Sequence, residues 1–490
     1  MAIDCADKFF INGCWMEPTS TATISVINPA TEELFAEVAE AQEGDVVRAV
    51  TAARSAFDDG PWPGLTHRQR AEFLRRIANI LQEQTPAIAR SWSSEMGIIL
   101  RAAEGVAGWS ATVYDYYADL ADSFAFEEVH ALQTGNFGLL VREPVGVVAA
   151  IIPWNAPPLL IAYKLAPALL AGCTVILKAS PEAPSAAYAV AAAAEAAGLP
   201  AGVFNMLTAD RAVSELLVRN PDVDKVTFTG SSLAGKRIAS ICGERIARCT
   251  LELGGKSAAL VLDDADLDQV ADVMTANTSL MTGQVCAALT RVVVSRSRHD
   301  ALVDALADRF KLIAIGDPLQ QGTQMGPLAM ERQRDRVEDY IKAGTAQGAE
   351  LITGGGRPAS QERGYFVEPT LFASVDNRST IAQEEIFGPV LSVISADDEE
   401  QTIAIANDSD FGLSGSVFTN DPDRAYRVAR QVRTGTIGQN GASLEFFSMA
   451  FGGFKQSGIG REGGVEGLLP FLEAKSIVLN APPSHLATKS

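Results

Sequence analysis

Residues 146–155 read Gly-Val-Val-Ala-Ala-Ile-Ile-Pro-Trp-Asn, an apolar run that ends in an aromatic ring and an amide. Residues 158–171 follow with helical spacing and begin at prolines, which suit the first turn of a helix. Residues 174–178 are again apolar, up to a lysine. Strands that are apolar along their whole length are typical of a parallel sheet covered on both faces, so this stretch predicts a β-α-β unit.

The same alternation continues to residue 253 and predicts a doubly wound parallel sheet of the nucleotide-binding type. Further strands are predicted at 203–207, 225–229 and 248–253, and further helices at 185–197, 211–219 and 233–241. A second α/β unit begins after Lys256, with strands predicted at 258–262 and 291–295 and helices at 267–281, 299–313 and 332–346.

The chain before residue 145 has other patterns. Short strands at 9–13 and 23–27 precede amphipathic helices at 45–57, 67–82 and 86–120, the last of which we expect to break near Gly105–Gly108. Residues 124–141 predict a projecting hairpin, although an ordinary surface hairpin has the same pattern. Residues 476–480 predict a lone strand, which needs a partner such as the 124–141 hairpin of another subunit.

Composition limits the class of protein. A chain of 490 residues is too long for one hydrophobic core, and its 47% hydrophobic and 20% charged residues are ordinary for a globular enzyme. A net charge of −20 repels phosphate backbones, so nucleic-acid binding is not expected. The start lacks a signal core, no apolar run is long enough to span a bilayer, and the six cysteines and four histidines lack metal-site spacing. We therefore expect a cytoplasmic protein without a metal or a membrane contact.

One cysteine lies where an enzyme would place a nucleophile. Residues 283–291 read Gly-Gln-Val-Cys-Ala-Ala-Leu-Thr-Arg, between a predicted helix and a predicted strand. A glycine bend at that junction can present Cys286 at the mouth of a cleft, and an accessible thiolate is a strong nucleophile. Taken alone, Cys286 is as well explained as a small buried hydrophobic residue, which is what most free cysteines are.

Polar residues also follow the predicted strands of the wound sheet, where open α/β sheets bind their ligands. Asn155 could donate to a developing oxyanion, or form a local turn. Lys178 could reach a ribose or a phosphate, or be a solvated surface lysine. Gly230 and Ser231 open a helix directly after a strand, which favours a bound anion, although the motif is not Gly-x-Gly-x-x-Gly.

Two carboxylate motifs complete the set. Residues 251–256 read Leu-Glu-Leu-Gly-Gly-Lys, and burial among leucines would raise the pKa of Glu252 toward that of a general base. The alternative is a surface or ion-paired glutamate. Residues 384–389 read Glu-Glu-Ile-Phe-Gly-Pro, which offers carboxylates for ribose hydroxyls and a ring for a planar group, or else a loop in which Phe387 packs in the core.

Taken together, these motifs resemble the aldehyde dehydrogenase superfamily from end to end. The resemblance also rests on residues 10–13 (Phe-Ile-Asn-Gly), 28–31 (Asn-Pro-Ala-Thr), 364–370 (Gly-Tyr-Phe-Val-Glu-Pro-Thr) and 452–462 (Gly-Gly-Phe-Lys-Gln-Ser-Gly-Ile-Gly-Arg-Glu). It implies an α/β fold with a doubly wound parallel-sheet cofactor domain, a second α/β catalytic domain and a small β oligomerisation arm. The implied boundaries are 1–122 with 145–254, then 255–470, and 123–144 with 471–490. The arm implies a homodimer or homotetramer.

The resemblance also implies roles for individual residues. Cys286 matches the nucleophile, Asn155 the oxyanion donor, Glu252 the general base and Glu462 a carboxylate that assists proton movement. The cofactor would be bound by Trp154, Lys178, Ser180, Gly230, Ser231, Leu253, Glu385 and Phe387. The aldehyde funnel would be lined by Leu160, Tyr163, Leu280, Val285, Ala287, Phe446 and Phe451.

These roles imply NAD(P)-dependent oxidation of an aldehyde to its carboxylic acid. The thiolate would add to the aldehyde, the thiohemiacetal would lose hydride to the nicotinamide, and Glu252 would activate water to hydrolyse the thioester. Cys286 would then be labelled faster than the other five cysteines at neutral pH. Two alternatives stay open: a relative that passes the acyl group to coenzyme A, and a binding protein that kept the fold without the chemistry.

Two departures from the family pattern bear on the ligands. Pro181 lies three positions after Lys178, where the family often has an acidic residue, so NAD is expected while NADP use stays open.

The second departure lies at the substrate entrance. Residues 449–453 read Met-Ala-Phe-Gly-Gly, where the family usually has proline before Phe-Gly-Gly, and this frees one backbone restriction. None of the funnel residues is basic, so we expect an apolar or aromatic aldehyde rather than one with a distal carboxylate.

Overall fold

The structure is a computed structural model that describes residues 3–441, 447–484 and 486. Its strands in chain order are β1 (Phe9–Ile11), β2 (Cys14–Met16), β3 (Thr23–Asn28), β4 (Glu33–Ala39), β5 (Glu127–Ala131), β6 (Phe137–Pro144), β7 (Val147–Ile151), β8 (Thr174–Ala179), β9 (Phe204–Thr208), β10 (Lys225–Thr229), β11 (Arg248–Glu252), β12 (Ser257–Val261), β13 (Leu289–Ser295), β14 (Glu350–Thr353), β15 (Thr370–Ala373), β16 (Val390–Ala396), β17 (Phe411–Gly412), β18 (Gly415–Phe418), β19 (Gly438–Gln439), β20 (Phe454–Lys455), β21 (Gly458–Ile459) and β22 (Leu472–Leu479). Its α-helices are α1 (Glu43–Asp58), α2 (His67–Met96), α3 (Leu100–Ser123), α4 (Pro157–Ala171), α5 (Ser185–Ala196), α6 (Arg211–Arg219), α7 (Ser232–Glu244), α8 (Leu267–Ser279), α9 (His299–Phe310), α10 (Glu331–Ala346), α11 (Thr380–Gln383), α12 (Glu399–Asn407), α13 (Pro422–Ala429) and α14 (Gly464–Leu468).

The first sheet has the strand order β2-β1-β9-β8-β7-β10-β11-β21. Its five central strands run parallel, and the winding reverses between β7 and β10. Open α/β sheets bind ligands at such a reversal, outside the carboxyl ends of the strands. The predicted doubly wound parallel sheet is therefore confirmed, and its reversal lies between β7, which Asn155 follows in the chain, and β10, which Gly230 follows.

The central strands of this sheet are covered on both faces, and most of their residues are apolar. Every residue of β7, β8, β9 and β10 is buried. Successive residues of β7 pack into two different cores: Val148 and Ala150 into one, Val147 and Ala149 into the other. Burying apolar side chains on both faces stabilises the fold by about 25 cal/mol for each Å² removed from water. The central strands are therefore a rigid base for the residues that follow them.

The second sheet has the order β14-β15-β16-β13-β12-β18-β19 and is parallel apart from β14 at its edge. The predicted second α/β unit is confirmed. Residues 253–256 connect β11 of the first sheet to β12 of the second, and α8 leads from β12 toward β13. The 253–256 connection begins directly after Glu252, the last residue of β11, and approaches the loop that carries Cys286, since a Cβ on Gly255 would lie 2.4 Å from Cys286 O.

A three-stranded antiparallel sheet, β22-β6-β5, stands apart from the two parallel sheets. The predicted hairpin is its β5–β6 pair. The predicted C-terminal strand does pair with this hairpin, but the suggestion that the hairpin belongs to another subunit is wrong, since β22 pairs with β6 of its own chain. The reason is local: Val145 N donates to Phe471 O at 3.0 Å, so the two strands already lie side by side where they begin.

The predicted helix break near Gly105–Gly108 is also wrong. Helix α2 runs through Pro86 to Met96, and the break falls at Gly97, whose φ of 89° only glycine adopts readily. Gly105 and Gly108 lie inside α3, with open space where a Cβ would be. Over the residues described, no helix has both the length and the apolar composition that crossing a membrane requires.

Candidate active site

The loop that carries Cys286 has a strained backbone. Residues 281–283 adopt positive φ values of 52°, 56° and 71° directly after α8. Positive φ is uncommon for residues with a side chain and persists only where the surroundings enforce it. The surroundings here are tight, because a Cβ on Gly283 would lie 2.2 Å from Gly388 O. The predicted glycine bend before Cys286 is thus present and is fixed by packing against the second sheet's loop.

Gln284 connects Asn155 to the Cys286 loop. The backbone O of Gln284 accepts a hydrogen bond from Asn155 Nδ2 at 3.1 Å. The Gln284 side chain is fully buried and accepts from Ala329 N at 3.0 Å. Trp92 Nε1 fixes the other side of Asn155 by donating to its backbone O at 3.1 Å. The sequence patterns do not single out Gln284, although it lies within the quoted motif; its role depends on burial, which no local pattern reveals.

The Cys286 thiol is in an acidic environment. Burial, followed by the nearby Glu385 and Glu252 carboxylates, raises the pKa of the Cys286 thiol to about 12. Contact with Cys242 and the charge of a nearby lysine instead lower the pKa of Cys249 to about 7. The faster labelling of Cys286 than of the other five cysteines stays a prediction, and thiol labelling of the purified enzyme tests it. Cys286 needs a base or a nearby cation to become nucleophilic.

Glu252 has the burial and the raised pKa that are typical of a general base. It is 2% exposed, and neither carboxylate oxygen has a hydrogen-bond partner among the residues described. Burial, and then the charge of Glu462, raise the pKa of the Glu252 carboxyl well above its usual range, although Lys164 and Arg461 oppose the shift. A Cβ on Gly452 would lie 2.7 Å from Glu252 Oε1, so the chain approaches this carboxyl closely.

Glu462 lies beside Glu252 in a buried polar group. It forms an ion pair with Lys164, which also donates to Thr229 Oγ1 at 2.6 Å. Lys164 and Glu462 are almost fully buried, and Glu462 Oε2 has no hydrogen-bond partner among the described residues. The sequence patterns do not single out Lys164. A signal was available, since it is the one charged residue in the otherwise apolar helix α4.

A cavity of about 290 Å³ lies at the carboxyl ends of the first sheet, where the winding reverses. The predicted cofactor residues in its wall are Trp154, Lys178, Ser180, Gly230 and Ser231. The hydroxyl of Ser231 accepts from Ala234 N at 3.3 Å and so caps helix α7, whose N-terminus faces this end of the sheet. Burial lowers the pKa of Lys178 to about 8, although Glu182 and Asp210 oppose the shift.

Three predicted cofactor residues lie outside that wall. Phe387 contacts the ring of Trp154 at 5.4 Å between centroids, with the planes at 86°. Glu385 accepts from Gly255 N at 3.0 Å. Leu253 is buried against helix α7, where a Cβ on Gly235 would lie 2.5 Å from its Cδ2. Phe387 therefore lies beside Trp154 of the cavity wall, the Glu385 carboxylate is near enough for its charge to act on Cys286, and Leu253 packs against α7.

A second cavity, of about 400 Å³, adjoins the Cys286 loop. It is lined by Val273, Ala276, Asn277, Leu280, Val285, Ala287, Ala288 and Gly441, so it brings together three of the predicted funnel residues. Three others, Leu160, Tyr163 and Phe451, pack with Val285 and Cys286 in one apolar cluster. Phe446 lies outside the described residues.

The polarity of this second cavity is low. Its one polar side chain among the described residues is Asn277, whose amide bonds both the backbone N and the backbone O of Leu289. An aromatic pair that the sequence patterns do not single out, Tyr116 and Phe447, packs at the same cluster with ring centroids 6.3 Å apart. The described lining therefore has no cation for a distal carboxylate.

The chain matches the aldehyde dehydrogenase family model over residues 15–477. It is 45% identical to the geranial dehydrogenase of Castellaniella defragrans over 480 residues. The match covers 98% of this chain and 100% of that protein. It is 42% identical over 481 residues to a 3-succinoylsemialdehyde-pyridine dehydrogenase of a Pseudomonas species, covering 96% and 98%. A cysteine-to-alanine variant of aldehyde dehydrogenase C from Pseudomonas syringae, solved with NAD+ and octanal, matches with a TM-score of 0.94, 39% identity and 98% of both chains.

These matches run almost the whole length of the chain, and the solved structure shares its fold. Because identity at this level over a full chain rules out a chance likeness of fold, the chain belongs to the aldehyde dehydrogenase family, as an enzyme that oxidises aldehydes with a nicotinamide cofactor.

Proposed function

We propose that this enzyme oxidises apolar or aromatic aldehydes to carboxylic acids through a covalent intermediate on Cys286. The hydrogen bond from Asn155 Nδ2 to Gln284 O carries the proposal, because it holds an amide donor next to the nucleophile. One N–H of that amide is used by this bond, which leaves the second for an oxyanion. Glu252, buried and without a partner among the described residues, supplies the base.

Each bond change has a residue to support it. The Cys286 thiolate forms a bond to the aldehyde carbon, and the carbonyl oxygen becomes an oxyanion held by Asn155 and the backbone N–H of Cys286. When bound, the nicotinamide accepts the hydride that leaves this carbon. Glu252 then takes a proton from water, whose oxygen attacks the thioester carbon. The carbon–sulfur bond breaks, and Cys286 is released for the next cycle.

The ion pair of Lys164 and Glu462 lies next to Glu252 and offers a second carboxylate for the proton that Glu252 takes from water. Glu462 raises the pKa of Glu252, and its Oε2 has no hydrogen-bond partner within the described ranges. A proton on Glu252 can therefore move to a second carboxylate instead of remaining on the base. This gives Glu462 the proton-assisting role, with Lys164 stabilising its charge.

The residues at the winding reversal fit a dinucleotide. Lys178 is 8% exposed, and its ammonium group forms no hydrogen bond or ion pair within the described ranges, which suits a ligand hydroxyl or phosphate. The N-terminus of α7 favours an anion. We propose that NAD is held by Trp154, Lys178, Ser180, Gly230, Ser231, Leu253, Glu385 and Phe387.

The charges of this cavity bear on the choice between NAD and NADP. Pro181 occupies the position of the usual ribose carboxylate, and Glu182, one residue further, is paired with Arg332. Arg237 is paired with Glu215, whereas Arg211 has no partner among the residues described and lines the same cavity. An unpaired guanidinium is a good ligand for a phosphate. We therefore propose NAD as the principal cofactor, with Arg211 allowing NADP to bind.

Replacing Arg211 with alanine is expected to lower kcat/KM for NADP about tenfold, the value of one charge-assisted hydrogen bond, and to change the value for NAD less than twofold. Initial rates with both cofactors check this. Lys236→Ala removes an equal charge from an exposed site on α7 that does not line the cavity, so it should leave the ratio unchanged. Equal losses for both cofactors in Arg211→Ala would contradict the role of Arg211.

The second cavity supports the substrate class. Its described lining is apolar except for Asn277, whose amide is already bonded. A distal carboxylate buried there would lack a cation and would lose its hydration, which is strongly unfavourable. Related enzymes are named for geranial and for 3-succinoylsemialdehyde-pyridine, and another was solved with octanal.

The experiment that tests the function is turnover of purified enzyme with NAD over a panel of aldehydes. Aliphatic, aromatic and terpenoid aldehydes are expected to give kcat/KM at least tenfold above that of succinic semialdehyde. A preference for the carboxylated aldehyde would overturn the substrate class. Turnover that requires coenzyme A would instead support an acylating reaction and overturn the hydrolytic one.

We also propose the domain division given above, with the β22-β6-β5 sheet as the oligomerisation arm of a homodimer or homotetramer. The arm exposes Val129 and Val478, which are 57% and 61% accessible in the single chain. Exposed apolar side chains on a small antiparallel sheet favour contact with another copy. Light scattering of the intact enzyme measures the number of subunits.

The six cysteines are free thiols, which suits the reducing cytoplasm.

A further inference from the structure

Two thiols are in contact where helix α7 packs against strand β11. Cys242 lies in the last turn of α7 (Ser232–Glu244), and Cys249 is the second residue of β11 (Arg248–Glu252). The side chains of Cys242 and Cys249 are hydrogen-bonded to each other. We name these two residues the thiol pair.

The backbone accounts for this contact. At the end of α7 the chain turns back on itself, and Ala247 N donates to Cys242 O at 2.9 Å. Cys249 and Leu251 alternate along β11, so their side chains share one face of the strand. That face packs against α7, since Cys249, Leu251, Ile238 and Cys242 belong to one apolar cluster. The thiols therefore meet because of the turn and the strand register together.

The two members of the thiol pair differ in exposure and in acidity. Cys242 is 1% exposed, whereas Cys249 is only partly buried. The hydrogen bond that Cys242 donates, with the charge of Lys225, lowers the pKa of Cys249 to about 7, although burial opposes the shift. The same hydrogen bond, followed by burial, raises the pKa of Cys242. An accessible thiolate beside a second, protonated thiol is the arrangement found where one cysteine is oxidised and its neighbour resolves it.

We propose that the thiol pair is a modification site at which a hydroperoxide converts Cys242 and Cys249 to a reversible disulfide. The Cys249 thiolate attacks one peroxide oxygen, the oxygen–oxygen bond breaks, and a sulfenic acid forms while hydroxide leaves. The Cys242 sulfur then gives up its proton and displaces the hydroxyl group from Cys249, which forms the sulfur–sulfur bond. Each sulfur loses one electron, the peroxide gains two, and water is the product of both steps.

The site is separate from the groups that act on the aldehyde. Neither member of the thiol pair lines the 290 Å³ or the 400 Å³ cavity as the structure describes them. The disulfide would join the C-terminal end of α7 to the strand that ends at Glu252. In a reducing compartment such a bond is transient and reports the presence of an oxidant, which fits a pair with one accessible thiolate.

The test is treatment of the full chain with hydrogen peroxide, followed by counting of thiols after denaturation. It is made in Cys286→Ala, so that oxidation of Cys286 cannot contribute, and the six free cysteines become five. We expect five thiols to fall to three, the mass to fall by about 2 Da, and dithiothreitol to reverse both changes. Trypsin cleaves after Arg245 and Arg248, so the disulfide is identified as two linked peptides, one with Cys242 and one with Cys249.

Three further variants in the same background assign the two roles. Cys242→Ser is expected to form no disulfide and to leave a sulfenic acid on Cys249 that dimedone traps. Cys249→Ser is expected to give neither the disulfide nor a dimedone adduct on Cys242. Cys14→Ser removes an exposed thiol on β2 and should keep the disulfide between Cys242 and Cys249.

Five thiols that remain after peroxide treatment would overturn the proposal, and this result does not depend on how any further variant folds. A disulfide that links either member of the thiol pair to another cysteine would also overturn it. If dimedone labelled Cys249 equally with and without Cys242, the resolving role of Cys242 would be wrong.

Discussion

Replacing Cys286 with alanine is expected to lower aldehyde oxidation by a factor on the order of 10⁴ or more, because no other group can form the covalent intermediate. The 290 Å³ cavity does not include Cys286, so NAD binding is expected to change less than twofold. Steady-state turnover checks the first expectation, and calorimetric titration with NAD checks the second.

The matched control for this variant is Cys14→Ala. Cys14 is an exposed thiol on β2, remote from both cavities, and its loss is expected to leave turnover unchanged. Intact mass measurement after mixing with aldehyde and NAD would show an adduct on the wild type and on Cys14→Ala. An adduct or substantial turnover in Cys286→Ala would place the nucleophile elsewhere, with Cys249 as the first thiol to test.

Glu252→Gln is expected to reduce turnover about 10²- to 10⁴-fold, the usual effect of losing a general base. The side chain keeps its size, so the loss comes from chemistry rather than from packing. The defect should lie in hydrolysis of the thioester. Intact mass measurement during turnover is therefore expected to show the acyl-enzyme accumulating in Glu252→Gln and only a small fraction acylated in the wild type.

The pH dependence of this step follows from the charge of Glu252. Burial and Glu462 raise the pKa of its carboxyl, and a base works only when ionised. The wild-type rate of hydrolysis should increase as pH passes upward through that raised pKa, and Glu252→Gln should lack this increase. A variant that is slow in forming the acyl-enzyme, with no accumulation, would show instead that Glu252 acts on the Cys286 thiol.

Much of the fold could be predicted because its elements are periodic. The apolar runs at β7, β8 and β10 and the helices between them were placed within a few residues of their observed ends. The predicted helix boundaries are wrong where several possible helix breaks lie close together in the sequence. Pro86 was expected to start a new helix and Gly105–Gly108 to break it, whereas the observed break is at Gly97, whose backbone lies against Pro327. A contact with a residue more than two hundred positions away is invisible to local spacing.

For the same reason, only part of the candidate site can be predicted from the sequence. The motifs around Cys286, Asn155 and Glu252 indicate their chemistry, whereas the roles of Gln284 and Lys164 come from contacts that no motif describes. Burial and two carboxylates raise the pKa of the Cys286 thiol, an effect that no motif indicates. Electrostatics depends on which charges come together in space, and those charges are scattered along the chain.

Periodicity and motifs are local properties of a chain, so the amino-acid sequence alone is enough to predict the order of strands and helices, the positions of the chemical groups and the family. Which of these groups touch depends on the folded chain. Asn155 bonds a backbone oxygen 129 residues away, and Lys164 pairs with a carboxylate 298 residues away. Such contacts are set by packing two sheets against each other, which sums many weak interactions over the whole chain.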